Sequence, residues 1–379
     1  MCSSDLALFM LFPLEKRTTP IVLVSMASTL APAVGPTLGG YLTNHFSWHW
    51  MFLINLAPAL MIASIVWAYL DIDKPNWSLW RSVDVLGLVS MALFLGSLEY
   101  TLDEGPRHDW FGEQEIVLSA SLALGAGLLF FWRSFSHANP IVNLRVFSNR
   151  NFAVGSVISF VVGVSLYGMV YLIPMFLGKV RGFNSLQIGE IMMVMGVAMF
   201  ITAPYIGRLS AKMDTRLLVG IGLVMAATGV FFNSHLTSLA GMDELFWPQI
   251  MRGVGLMCAM IVMSQLALST LPMTELKNGS ALFNLTRNMG GAIGLAAINT
   301  IMDWRVAFHW QHLAIYTDPS RPVVQEMLAN SSQFLAGELG GQSQQAAMAL
   351  LQQKVSLQAT TLAFNDITML LSGLILSVL

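Results

Sequence analysis

Charge is what this sequence has least of. Only 11% of its 379 residues are Asp, Glu, Lys or Arg, against about 25% in soluble domains. Cysteine is nearly as scarce: Cys2 and Cys258 are the only two, too few for a disulfide framework or a thiolate metal site. The seven histidines form no metal pattern. His45 and His49 stand four apart, but beside Trp48 and Trp50 at the start of an apolar run, where interfacial aromatics sit. No HExxH, GxSxG or GxxxxGK(S/T) string occurs, so the usual signatures of zinc proteases, α/β-hydrolases and P-loop enzymes are missing. With a net charge of −2 and no basic cluster, nothing points to nucleic acid as a partner.

What fills the chain is apolar: 55% of residues are hydrophobic and the mean hydropathy is +0.65. Apolar stretches of about 20 residues, the length that crosses a hydrocarbon core, recur throughout. Ten spans are predicted, near 19–43, 51–71, 84–102, 115–133, 152–177, 186–206, 216–234, 246–270, 278–302 and 360–379. They lack the two-residue alternation of barrel strands, and lipid requires backbone polar groups to be satisfied within the segment, so the fold class is all-α, a polytopic membrane bundle. Lys and Arg divide eleven to six between the two sides when the end before the first span is inside, which sets the orientation.

Both ends look cut. The opening "MCSSDL" has no basic n-region and "ALFMLF" is too short to span. Residues 1–6 are expected to be a non-native leader, encoded by adapter sequence joined to a truncated frame, and "MLLSGLILSVL" stops inside a helix. The connectors "DIDKPNWSLWRSVD" and "RSFSHANPIVNLRVFSNRN" divide the rest into 7–71, 72–134 and 135–379. The last block contains a polar piece, 303–359, expected to include a helix lying over the outer face.

Within "LAPAVGPTLGGYL", Ala31, Gly35 and Gly39 recur every four residues and predict a close helix contact on one face, with a bend at Pro36. "VGPTLGG" followed by "HWMFLIN" resembles the antiporter motif of the major facilitator superfamily. "FPLEKR", "LEYTLDEGPRHDWF", "WPQIMRGVGL", "NLTRNMGGAIG" and "LAFND" match in order the fourteen-span drug/proton antiporter family of the EmrB/QacA type. The resemblance runs from Ala7 to Leu379 and implies four missing N-terminal spans, ten of fourteen being present. It implies that Gly35, Pro36, Gly39 and Gly40 form a hinge or seal between transporter halves. "GRLSAKMDTR" resembles the superfamily's cytoplasmic loop signature, carried by Gly207, Arg208, Lys212, Asp214 and Arg216, with Ala211 where an acid is usual. Their alternating charges predict a conformational latch.

Ionisable residues at membrane depth are costly and mark function. Arg252, Arg287 and Asp366 are a candidate membrane charge network, either arginine being within expected reach of Asp366; such charges hold helices together or handle substrate or protons. Glu99 and Glu190 fall near outer span ends. Methionines crowd two spans (Met192, Met193, Met195 and Met199; Met257, Met260 and Met263) and predict a soft cavity. Asn55, Tyr167, Tyr171, Gln265 and Asn284 are its candidate polar and aromatic lining. No catalytic residue, metal or cofactor is expected; the proton gradient is the energy source. The resemblance implies efflux of drugs or other amphipathic compounds across a bacterial inner membrane. Its implied partners are membrane lipid, hydrophobic small molecules, a periplasmic adaptor and an outer-membrane channel. The alternatives are a carrier of one metabolite and a remnant that does not transport.

Overall fold

A computed structural model of the chain describes residues 34–69, 84–137, 140–210, 212–318, 320–339 and 342–379. Among these there is no strand, and eight helical stretches are long and apolar enough to cross a membrane, one of them the two short helices between Trp50 and Ala68 taken together. In chain order the helices are α1 (34–45), α2 (Trp50–Leu53), α3 (Leu56–Tyr69), α4 (Val85–Glu104), α5 (Gln114–Ser136), α6 (Arg150–Lys179), α7 (Ser185–Leu209), α8 (Thr215–Phe232), α9 (Met242–Ser269), α10 (Met273–Tyr316), α11 (Pro322–Leu339) and α12 (Ser343–Leu376). The expected leader and most of the first span lie outside the described residues. The ninth expected span is the middle of α10, where Asn284, Arg287 and Asn288 lower the apolar average.

One core joins α6, α7, α8, α9, α10 and α12. Lipid offers no hydrophobic drive between helices, so small residues bring the backbones together. The α8/α9 contact shows this: a Cβ at Gly229 would stand 2.8 Å from the Arg252 nitrogen and the Pro248 carbonyl oxygen. Of the seven methionines expected either to fill the bundle or to soften a cavity, Met192, Met195, Met199, Met257 and Met263 are buried in this core, whereas Met193 is exposed.

Helices α4 and α5 form a hairpin. Thr101 donates to Ser119 Oγ at 2.9 Å, and Phe94 meets Phe130 and Phe131. At its other end, buried Asp84 caps α4, accepting from the Gly87 N–H and from Arg133 Nε, each at 3.0 Å. Desolvation opposes the Asp84 charge, but these donors outweigh it and hold the carboxyl below its ordinary range. Helices α2 and α3, by contrast, expose every described side chain.

Two helices outrun the membrane. At 1.5 Å per residue, the 44 residues of α10 and the 34 of α12 extend roughly 66 and 51 Å, beyond a core of about 30 Å. The helix predicted to lie over the outer face is therefore the first half of α12, continuous with the last span. Helix α11 packs along it.

Candidate functional site

The glycine-rich helix α1 meets the start of α7, one of the core helices. Thr37 Oγ1 donates to the Gly189 carbonyl at 2.8 Å. A Cβ at Gly189 would lie 2.7 Å from the Pro36 carbonyl oxygen and 2.8 Å from Thr37 Cα, and one at Gly40 would run into the Ser185 carbonyl. Pro36 and Gly40 thus face Ser185 and Gly189, two four-residue rows crossing at backbone contact. The row predicted from spacing is displaced by one position: Gly35 faces open space and Gly39 faces Met51 Sδ, 3.6 Å from where its Cβ would be. Ala31, and the Pro32 carbonyl about which Pro36 would bend the helix, lie outside the described residues.

Between α7 and α8, Arg208 ends one helix and Asp214 caps the next, accepting from the Arg216 N–H at 2.9 Å. Gly207 accepts from Ser210 Oγ at 3.1 Å. Arg208, Lys212, Asp214 and Arg216 are exposed and make no ion pair with one another among the described residues. Ala211 lies outside them.

The expected charge network is not one network. Arg252 is fully buried on α9, with Nε and Nη2 aimed at Met195 Sδ at 3.3 and 2.7 Å, and its Nη1 has no partner among the described residues. Arg287, on α10, lies over the Phe283 ring at 5.4 Å. Asp366 pairs with neither. Its Oδ2 accepts from Arg305 Nε at 2.7 Å and contacts His309 Nε2 at 2.6 Å, closing α12 onto α10. Arg305 and His309 escaped the sequence reading because they fall in the polar piece after the predicted span. Their four-residue spacing, which puts both on one helix face, was the available signal.

The expected cavity lining also disperses. Asn55 is exposed and donates to the Met51 carbonyl; Gln265 and Tyr171 are exposed; Asn284 donates to the Ser280 carbonyl. Tyr167 alone of the five lines a cavity of about 380 Å³, set between α4 of the hairpin and α10. Its hydroxyl donates to Asn288 Oδ1 at 3.2 Å.

Long apolar helices, a core knit by small residues and buried charges define a polytopic membrane bundle. The model of the Major Facilitator Superfamily matches residues 5–295. The chain is 45% identical to the colistin resistance protein EmrB of Acinetobacter baumannii over 371 residues, covering 98% of this chain and 72% of that protein. It is 30% identical to the multidrug export protein EmrB of Escherichia coli K12, covering 97% and 71%. To the fatty acid resistance protein FarB of Neisseria gonorrhoeae it is 29% identical, covering 85% and 63%. The chain therefore belongs to the major facilitator superfamily, in its EmrB-type branch, and is a multi-pass membrane transporter rather than an enzyme.

Proposed function

We propose that the chain exports amphipathic organic compounds across the bacterial inner membrane, using the proton gradient and alternating access. The observation that carries this reading is the seat of α1 on α7. A contact made of backbone, with Gly40 and Gly189 at its centre, can part and reform as a unit without repacking large side chains. Pro36, Thr37 and Gly40 act as the seal; Gly35 and Gly39, on the neighbouring rows, keep the helix slender there. Residues 7–71 then close the first half, 72–134 are the extra hairpin and 135–379 form the second half. The loop from Gly207 to Arg216 latches the cytoplasmic side in another conformation. The names of the relatives also support the substrate class, since colistin and fatty acids are both amphipathic.

Proton coupling is assigned to Asp366 with His309, a carboxylate and an imidazole 2.6 Å apart. Arg305 positions the carboxylate. The projecting helices around 303–359 are the surface offered to a periplasmic adaptor, which would pass substrate to an outer-membrane channel. The test is substrate-dependent proton movement in everted vesicles from a pump-deficient host expressing the complete reading frame. Wild type is expected to move protons when a drug is added, and Asp366→Asn to lose at least about tenfold of that rate. Equal rates would remove Asp366 from the proton path.

A further inference from the structure

The turn that leads from α5 into α6 carries positive charge that the protein leaves unanswered. No Asp or Glu stands between Glu115 and Glu190, while Arg133, Arg145 and Arg150 surround this turn. Its short 3-10 segment, Leu144–Ser148, touches the end of α5 and the start of α6. Asn278, near the start of α10, grips it from the other side. The Asn278 Oδ1 accepts from the Asn143 N–H at 3.2 Å, and its Nδ2 donates to the Asn143 carbonyl at 2.9 Å. Asn149 caps α6 and donates to the Thr270 carbonyl at 3.3 Å. Val146 is buried beneath the segment, so the turn is held in one form, and that form leaves Arg145 and Phe147 exposed.

Three cations of these elements are exposed and make no ion pair among the described residues: Arg145 on the turn, Arg150 opening α6 and Lys277 beside Asn278. Arg133 is already engaged, its Nε donating to Asp84. Glu275 sits in the first turn of α10, where a helix terminus favours an acid. Arg150 is the opposite case. It is the first residue of a 30-residue helix whose first turn holds no acid, so its charge adds to the positive end of the helix dipole. One carboxylate does not balance three cations and that terminus. The same surface is apolar as well as positive: Phe147 on the turn, and Trp132 and Phe135 at the end of α5, are exposed. A soluble anion would meet the charges and leave these rings in water, whereas a lipid answers both.

We infer that this turn is a binding site for an anionic phospholipid of the leaflet that the charge bias makes the inner one. Arg145, Arg150 and Lys277 hold the phosphate, and the acyl chains lie along Phe147 and the end of α5. Because the turn touches α5, α6 and α10 together, the lipid braces the hairpin against the core. The inference stands apart from the export reading and needs nothing from it.

The experiment follows thermal melting of the purified chain from its complete reading frame, in neutral detergent, as dioleoylphosphatidylglycerol is added. Dioleoylphosphatidylcholine and glycerol 3-phosphate are the comparisons. Phosphatidylglycerol is expected to raise the melting temperature saturably, and the other two to leave it unchanged. Arg145→Gln/Arg150→Gln is expected to move the lipid midpoint at least about tenfold higher. Arg145→Lys/Arg150→Lys, and Arg321→Gln in the projecting unit, are expected to keep the wild-type midpoint. An equal shift from phosphatidylcholine, the same shift from glycerol 3-phosphate at equal concentration, or an unmoved midpoint in a double glutamine variant that melts like wild type without lipid would each overturn the site. If that variant does not fold, wild type alone decides: a lipid midpoint that fails to rise between about 50 and about 500 mM NaCl would overturn it.

Discussion

Asp84 is a carboxylate removed from water, and two hydrogen bonds at 3.0 Å keep it ionised. Replacing it with alanine leaves the α4 N-terminus uncapped and Arg133 without its partner, at a cost of about 2 kcal/mol. Because folding lowers its pKa, the stabilisation is present above the unfolded value near pH 4 and is lost as pH falls through the folded one. Thermal melts of wild type and Asp84→Ala should differ by a constant gap from pH 8 to pH 5, narrowing below about pH 4. A gap independent of pH down to pH 2 would mean that the carboxylate charge contributes nothing. Single residues were unevenly legible in the sequence. That Arg252, Arg287 and Asp366 are charges in apolar runs could be read directly. Their partners could not, since a side chain's neighbours are set by which helices meet. Met195 carries no mark of that in its own segment, and the four-residue spacing of Arg305 and His309 marks a shared face without naming Asp366 as its partner.

Helices were legible as elements because composition reports the solvent along each stretch. Their ends were less so. The fall in hydropathy after residue 302 reads as the end of a span, yet α10 continues to Tyr316 because no glycine or proline stops it. Hydropathy marks where lipid gives way to water, whereas backbone propensity marks where a helix breaks. The same difference hid the continuity of α12. The α1 contact failed more finely: four-residue spacing identified a small-residue surface, but Gly39 and Gly40 are adjacent, and only the docked partner selects the row. A projecting α10–α11–α12 unit predicts that Phe334→Cys, at a site 87% exposed, reacts with a membrane-impermeant maleimide in intact spheroplasts. Protection until the membrane is opened would reverse the orientation drawn from the charge bias.

At the scale of the molecule, the superfamily and the class of transporter were legible from motifs in order, since each motif is local and their sequence along the chain is hard to produce by chance. How the hairpin seats against α10 was not legible, because it depends on Trp110 donating to Thr300, residues of ordinary type in distant segments. The α1/α7 contact, proposed as the moving seal of a proton-coupled exporter, is probed by drug-dependent proton movement in everted vesicles carrying wild type, Gly35→Ala or Gly189→Val, each at matched membrane levels. A valine at Gly189 strikes the α1 backbone, whereas an alanine at Gly35 meets open space. Gly35→Ala is expected to keep wild-type rates and Gly189→Val to lose at least about tenfold; wild-type rates in Gly189→Val would mean that the contact is not the moving seal.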